Sequence, residues 1–223
     1  MPVVEPGGAV VWRASSVQRP AILAGVVLAA AGLAAAGGCS PGTKPQVPYA
    51  ERIAAQRAAK DQFFVASAES PIPADLRQEF LPLSYFPIDE SYLAAAMLTA
   101  SERAPAMEMP TSTGQRRLMR RAGALRFSLQ GRPAELTAFV EADAKDMNRL
   151  FVPFGDMTNG TETYAAGRYL DLERNPSGIY EIDFNLSYHP YCYYNPEYDC
   201  PYPPAENRLG QPVRAGERIK AAR

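Results

Sequence analysis

The chain has 223 residues, 23 Lys and Arg, 24 Asp and Glu and a single His, a formal net charge of −1. This balance excludes a nucleic-acid binder that works by neutralising phosphates, because no cationic excess exists. With 47% hydrophobic and 10% aromatic residues the chain is also too apolar for wholesale disorder, and one histidine nearly excludes His-dependent catalysis and multi-histidine metal sites.

In chain order, the first stretch reads as a leader. No charged residue falls between Arg19 and Lys44, and 21–36 are Ile, Leu, Val, Ala and Gly behind Arg13 and Arg19. A basic start, a short apolar core and small residues at the end make a secretory signal peptide over 1–38. The alternative, a permanent span, is poor because Ala and Gly dominate the run. Ala36-Gly37-Gly38-Cys39 resembles the lipobox of bacterial lipoproteins, although Ala36 stands where leucine is usual. The expectation is lipidation at Cys39, a tether over 39–48 and one globular domain over 49–223. The partner is then a lipid bilayer. The location is the cell envelope, on the outer side of the cytoplasmic membrane or in an outer membrane.

The residues of 49–68 are helix formers, with Arg57 and Asp61 spaced i, i+4 as on a solvated face. Ser70-Pro71 stops this helix, and a short second one is expected over 74–80 behind Pro73. The stretch 101–121 is polar and carries Arg116, Arg117, Arg120 and Arg121. It reads as a solvated hairpin or loop, with contact to anionic head groups as the functional alternative. Beyond it Leu125, Phe127 and Leu129 alternate with polar residues, a turn follows at Gly131-Arg132-Pro133, and short apolar runs recur at 136–140, 150–154, 167–172 and 179–184. Turn signals separate them, so antiparallel strands are expected. The fold class is α+β: N-terminal helices packed on a mainly antiparallel sheet or open barrel. Six tyrosines in 188–202 and six prolines in 190–212 suit neither helix nor strand, so an ordered loop should wrap over the sheet. It either completes the core or offers an aromatic surface to a peptide, glycan or small ligand.

Two motif blocks stand out. The first is Phe151-Val152-Pro153-Phe154-Gly155-Asp156-Met157-Thr158 with Gly167-Arg168-Tyr169-Leu170. The second is Ile182-Asp183-Phe184-Asn185, Tyr188-His189-Pro190-Tyr191-Cys192-Tyr193-Tyr194-Asn195-Pro196, Cys200-Pro201-Tyr202-Pro203-Pro204, Glu206-Asn207-Arg208-Leu209 and Ala215-Gly216-Glu217. Together they resemble the domain of unknown function 1684 family, more loosely upstream through Lys60-Asp61 and Tyr85-Phe86-Pro87. Where that family commonly has Tyr-Asn-Pro, this chain has Tyr188-His189-Pro190. The resemblance implies no activity.

The candidate site residues are read from their own chemistry. A strand arginine with an inward side chain needs a carboxylate, and Asp183 on the next strand is the expected partner of Arg168. The plain account is a buried ion pair. The catalytic account makes Asp156 or Asp183 a general base beside Arg168. Arg168, Asn185, His189, Tyr191 and Asn207 are the ligand-binding candidates. Asp156 precedes a turn, where it can accept from the amide of Thr158 or Asn159. Cys192 and Cys200 suggest a disulfide in an exported domain, with reduced thiols or a metal site completed by His189 and Asp183 or Asp199 as alternatives. The spacing matches no common zinc pattern, so neither metal nor cofactor is assigned. The functional expectation is a membrane-anchored ligand- or partner-binding module; a carboxylate-dependent hydrolase or transferase around Asp156, Arg168 and Asp183 is the alternative.

Overall fold

A computed structural model describes residues 47–101 and 106–220 and, separately, an antiparallel pair of short strands, β1 (Val3–Val4) and β2 (Val10–Val11). The leader's apolar core, Cys39 and the tether up to residue 46 lie outside the described residues. Among the described residues no helix is long and apolar enough to cross a membrane.

Residues Tyr49–Arg223 form one compact unit. It opens with helix α1 (Tyr49–Ala66) and the one-turn helix α2 (Arg77–Phe80), then strands β3 (Leu93–Ala100), β4 (Ala106–Pro110), β5 (Arg116–Leu129), β6 (Arg132–Glu141), β7 (Arg149–Phe154), β8 (Arg168–Glu173) and β9 (Tyr180–Asp183). The sheet runs β8-β7-β6-β5-β3-β9, every pairing antiparallel, and the bridge between Arg174 and Tyr180 brings its two ends together. The result is a nearly closed barrel capped by a helix, the expected α+β class.

The pleat explains the core. Leu125, Phe127 and Leu129 of β5 share one core with Leu136, Ala138 and Val140 of β6, and Leu150, Val152, Phe154, Leu170, Leu172, Ile182 and Phe184 complete the interior. Thr137 and Phe139 point the opposite way and are still buried, Phe139 against Met109 and Met119. The stretch 101–121, expected as a solvated hairpin or loop, holds the antiparallel β4–β5 hairpin. Arg117 pairs with Met109 and Arg120 with Ala106, so β4 lies on the first half of β5 while β3 lies on its second half. The register shift between Arg121 and Gly123 separates the two halves. The turn between β5 and β6 is Gln130-Gly131, both at positive φ, one residue earlier than the sequence pattern suggested. β3, Leu93–Ala100, had no sequence signal, because its alanines read as helix formers.

The basic cluster is used locally. Arg116 meets Glu108, Arg117 lies near Glu141 and Asp199, Arg121 meets Glu206, and Arg120 donates to the Ala144 carbonyl.

Helix α1 shows little amphipathicity because its inward stripe is mixed. Ile53 and Phe64 are buried, three turns apart, and Arg57 and Lys60 fall between them on the same face. Arg57 donates to the Phe86 and Asn185 carbonyls, and Asp61 accepts from the Leu83 amide. The expected solvated face is therefore half of the docking face. Phe64 meets the rings of Tyr191 and Tyr194 edge-on at 6.2 and 5.8 Å, and Phe80 meets Tyr193 and Tyr194 in the same way. No basic residue stands in the last turn of α1; Arg77 of α2 donates to the Val65 and Ser67 carbonyls instead.

The Tyr/Pro-rich segment wraps the barrel as expected. It pairs with β8 through Tyr188 and Tyr169, then crosses to the β4–β5 turn, where Tyr202 donates to Pro110 and Ser112 to Cys200. Asn207 then enters the seam between β6 and β7, which is paired only at Phe139 and Phe151. Its side chain accepts from the Thr137 amide at 2.7 Å and donates to the Thr137 and Pro153 carbonyls at 2.8 and 2.7 Å. Fully buried, Asn207 replaces a missing rung of the ladder and is not free for a ligand. Asn207→Ala leaves three buried backbone groups without partners and should cost about 3 kcal/mol, since each exposed demand costs about 1 kcal/mol or more. Urea titration should show a lower midpoint at unchanged slope.

Candidate functional site

Arg168 follows the core stripe of β8, on the face of Leu170 and Leu172, at the end of the barrel. Its partner is Asp156 at 2.9 Å, not the Asp183 expected from sequence, and both side chains are completely sealed. The register explains the choice. Phe154 on β7 stands opposite Arg168, so two residues further on Asp156 reaches the same end. β9 pairs with β3, where Leu93 faces Asp183, and Asp183 turns back to cap its own 3-10 turn by accepting from the Asn185 amide. The other Asp156 oxygen accepts from the amides of Thr158 and Val213, the first as the turn chemistry required.

The guanidinium, whose buried Nε has no hydrogen-bond partner, gives the remaining bonds of its two terminal nitrogens to backbone. It donates to the carbonyls of Val213 (2.7 Å), Ala215 and Glu217 (3.1 Å), alternate residues of an extended segment. Burial pushes the Arg168 pKa down, and Asp156 opposes that shift. Gly216 permits this course. It has φ +76°, and a Cβ there would collide with the Ser187 hydroxyl and the carbonyls of Ser187 and Phe184.

The clamp delivers Glu217, a residue not singled out as functional from sequence. Glu217 is 1% exposed and meets Lys60 of α1 at 2.5 Å. Its second oxygen accepts from the His189 amide at 2.7 Å and the Tyr194 hydroxyl at 2.8 Å. Burial pushes the carboxyl up, but the Lys60 charge and the hydrogen bonds outweigh it and hold it below the usual carboxylate range. Lys60 also sits over the ring of Tyr188 at 4.7 Å. The His189 imidazole is buried, its Nε2 accepts from the Tyr164 amide at 3.3 Å, and Nδ1 lies 3.9 Å from Glu217. The proton therefore resides on Nδ1, and burial pushes the pKa down to about 3, so the ring is neutral.

A second polar knot joins α1 to β9. Tyr49 donates to Asp183 at 2.8 Å, and the Asn185 amide group donates to Tyr49, Asp183 and the Asp89 carbonyl. Burial first, then the bond to Asp183, pushes the Tyr49 hydroxyl well above its ordinary value.

The sequence candidates thus fall in separate places. Asp156 and Arg168 make one sealed pair; Asp183 and Asn185 belong to the Tyr49 knot; His189 lies beside Glu217; Tyr191 packs between Phe64 and Tyr198; Asn207 fills the β6–β7 seam. The catalytic trio is not convergent. Cys192 and Cys200 are both free and buried, which corrects the disulfide expectation: the Cys192 amide donates to the Cys200 sulfur at 3.2 Å, and the thiols hydrogen-bond to one another. Among the described residues no group of three or more His, Cys, Asp or Glu is placed to hold a metal. Lys60 and Glu217 were within reach of sequence reading, since Ile53, Arg57, Lys60 and Phe64 follow helical spacing and demand an acid opposite.

Two hollows border this region. An open trough of about 620 Å³ lies between α1 and α2, lined by Val65, Ala66, Leu81 and Pro82 with Asp61, Gln62, Arg77 and Gln78 around it. A cleft of about 10 Å³, the space of one water, touches His189, Tyr193, Tyr194 and Glu217. Neither touches Asp156, Arg168 or Asp183.

Residues 78–218 match the family described as Protein of unknown function (DUF1684). The solution NMR structure of an uncharacterised protein from Haloarcula marismortui is 39% identical, covers 76% of this chain and 93% of its own, and superposes with a TM-score of 0.61. No curated protein matches the chain. The matched stretch contains Asp156, Arg168, Asp183, His189 and Glu217 and begins after Lys60.

Two outcomes follow from this geometry. Lys60→Met strands a buried carboxylate and should cost about 3–5 kcal/mol, whereas Lys60→Met with Glu217→Gln should recover at least half of that, read by thermal and urea unfolding. His189 has a folded pKa below its unfolded value of 6.5, so its stabilising contribution is complete above pH 6.5 and is lost as pH falls toward about 3. Stability relative to His189→Gln should therefore decline with acid by up to about 1.4 kcal/mol per pH unit in that window.

Proposed function

We propose that this chain, which belongs to the DUF1684 family of proteins of unknown function, is a lipid-anchored ligand- or partner-binding module of the cell envelope. The anchor is a lipid on Cys39, and the module stands on the outer side of the cytoplasmic membrane or in the outer membrane. The support is the leader pattern: a charge-free apolar run from 20 to 38 behind Arg19, ending in Ala36-Gly37-Gly38-Cys39.

The observation that carries the binding reading is the contrast between sealed polar groups and an open apolar trough. Asp156 and Arg168 have no exposed side-chain surface, so neither can take a proton from, or hold an anion of, a substrate without the barrel end opening. The trough between α1 and α2 is open, its floor is apolar, and its charged rim is already engaged, Asp61 by the Leu83 amide and Arg77 by the end of α1. It suits the apolar part of a small amphiphile, peptide or glycan. The hydrolase or transferase alternative around Asp156, Arg168 and Asp183 loses its support with the separation of those residues.

Two measurements test the reading. Cys39→Ala should move the protein from the detergent-rich phase to the aqueous phase and remove the lipid increment from its mass; unchanged partitioning contradicts the anchor. With 1-anilinonaphthalene-8-sulfonate as probe, the native protein should enhance the dye's fluorescence and Val65→Glu should abolish the enhancement without shifting Tm. Enhancement that survives Val65→Glu contradicts the trough as the binding surface.

A further inference from the structure

We propose that Cys192 and Cys200 form a two-thiolate site for a soft, closed-shell monovalent cation of the copper(I) class. The wrapping loop brings together two sulfurs eight positions apart and holds them rigidly. Cys192 lies in the 3-10 turn Tyr191–Tyr193, and its amide donates to the Cys200 sulfur at 3.2 Å. Cys200 is locked at both backbone ends by Ser112, which donates its amide to the Cys200 carbonyl at 2.9 Å and accepts the Cys200 amide on its hydroxyl at 3.0 Å. The thiols are free and lie just beneath the surface, 9% and 7% exposed.

The chemistry of the pair selects the cation. Thiolates favour soft metals. Zinc requires about four ligands, and the described residues offer no third His, Cys, Asp or Glu. A closed-shell monovalent ion is satisfied by two sulfurs in line. Binding breaks two S–H bonds, releases two protons to solvent and forms two metal–sulfur bonds; no electron moves. The Cys192 amide already donates to the Cys200 sulfur at 3.2 Å, a contact that favours a thiolate there. The site is independent of the trough and of the anchor.

The test uses the full chain carrying Cys39→Ala, so that Cys192 and Cys200 are the remaining cysteines. The reduced protein is titrated without oxygen against the copper(I) complex of bicinchoninate. It should withdraw one copper(I) per chain, and Cys200→Ser should weaken this by roughly 100-fold or more, beyond the loss of an outer-shell partner. Copper X-ray absorption of the parent should show a shell of two sulfurs, a readout that stands even if Cys200→Ser fails to fold. No copper withdrawn, withdrawal equal in Cys200→Ser, or a nitrogen and oxygen shell overturns the proposal.

Discussion

A guanidinium with no access to water sits at the end of this barrel, and the C-terminal part of the chain is arranged to satisfy it. An isolated charge in such a place costs several kcal/mol even after relaxation. Arg168 is tolerable because Asp156 faces it and the carbonyls of Val213, Ala215 and Glu217 converge on it. That requirement fixes the path of 213–217, with Gly216 supplying the backbone conformation no side chain allows. The path places the Glu217 carboxylate beneath α1, and Lys60 must then stand opposite. Sheet, C-terminal segment and helix are thus coupled through one sequence of buried charges, each of which would be unfavourable without the next.

The same coupling separates structure from function. Charged residues inside a fold often mark catalysis. Here Arg168 and Asp156 are sealed against one another and the surrounding backbone, and neither the trough nor the small cleft touches them. Asn207 and Asn185 are spent in the same manner, one on the β6–β7 seam and one on the Tyr49 knot. The trough between the two helices is open, and its floor is apolar.

Much of the barrel was legible in the sequence, because period-two alternation is imposed by the pleat. Leu125, Phe127 and Leu129 declared their strand, and the Tyr/Pro-rich segment declared a wrapping loop by excluding helix and strand. β3 was hidden because alanine favours helix locally and its strand form depends on β5 and β9. The partner of Arg168 was hidden for a related reason. Sequence order suggested the next strand, whereas the pairing of β7 with β8 puts Asp156 within reach. The docking face of α1 was misread as solvated because Arg57 and Asp61 look like surface residues until their backbone partners, distant in sequence, are in place. The same distance hid the free state of Cys192 and Cys200, whose bonding is decided by the geometry of a loop rather than by their number.

The central claim is that Arg168 organises 213–217 and, through Glu217, helix α1. Arg168→Lys tests it directly, because a lysine keeps the charge but cannot reach three carbonyls and a carboxylate in one plane. Amide hydrogen exchange on the full chain should show faster exchange in 213–218 and α1 while the β5–β6 hairpin keeps its protection. Unchanged protection in 213–218 would contradict the account.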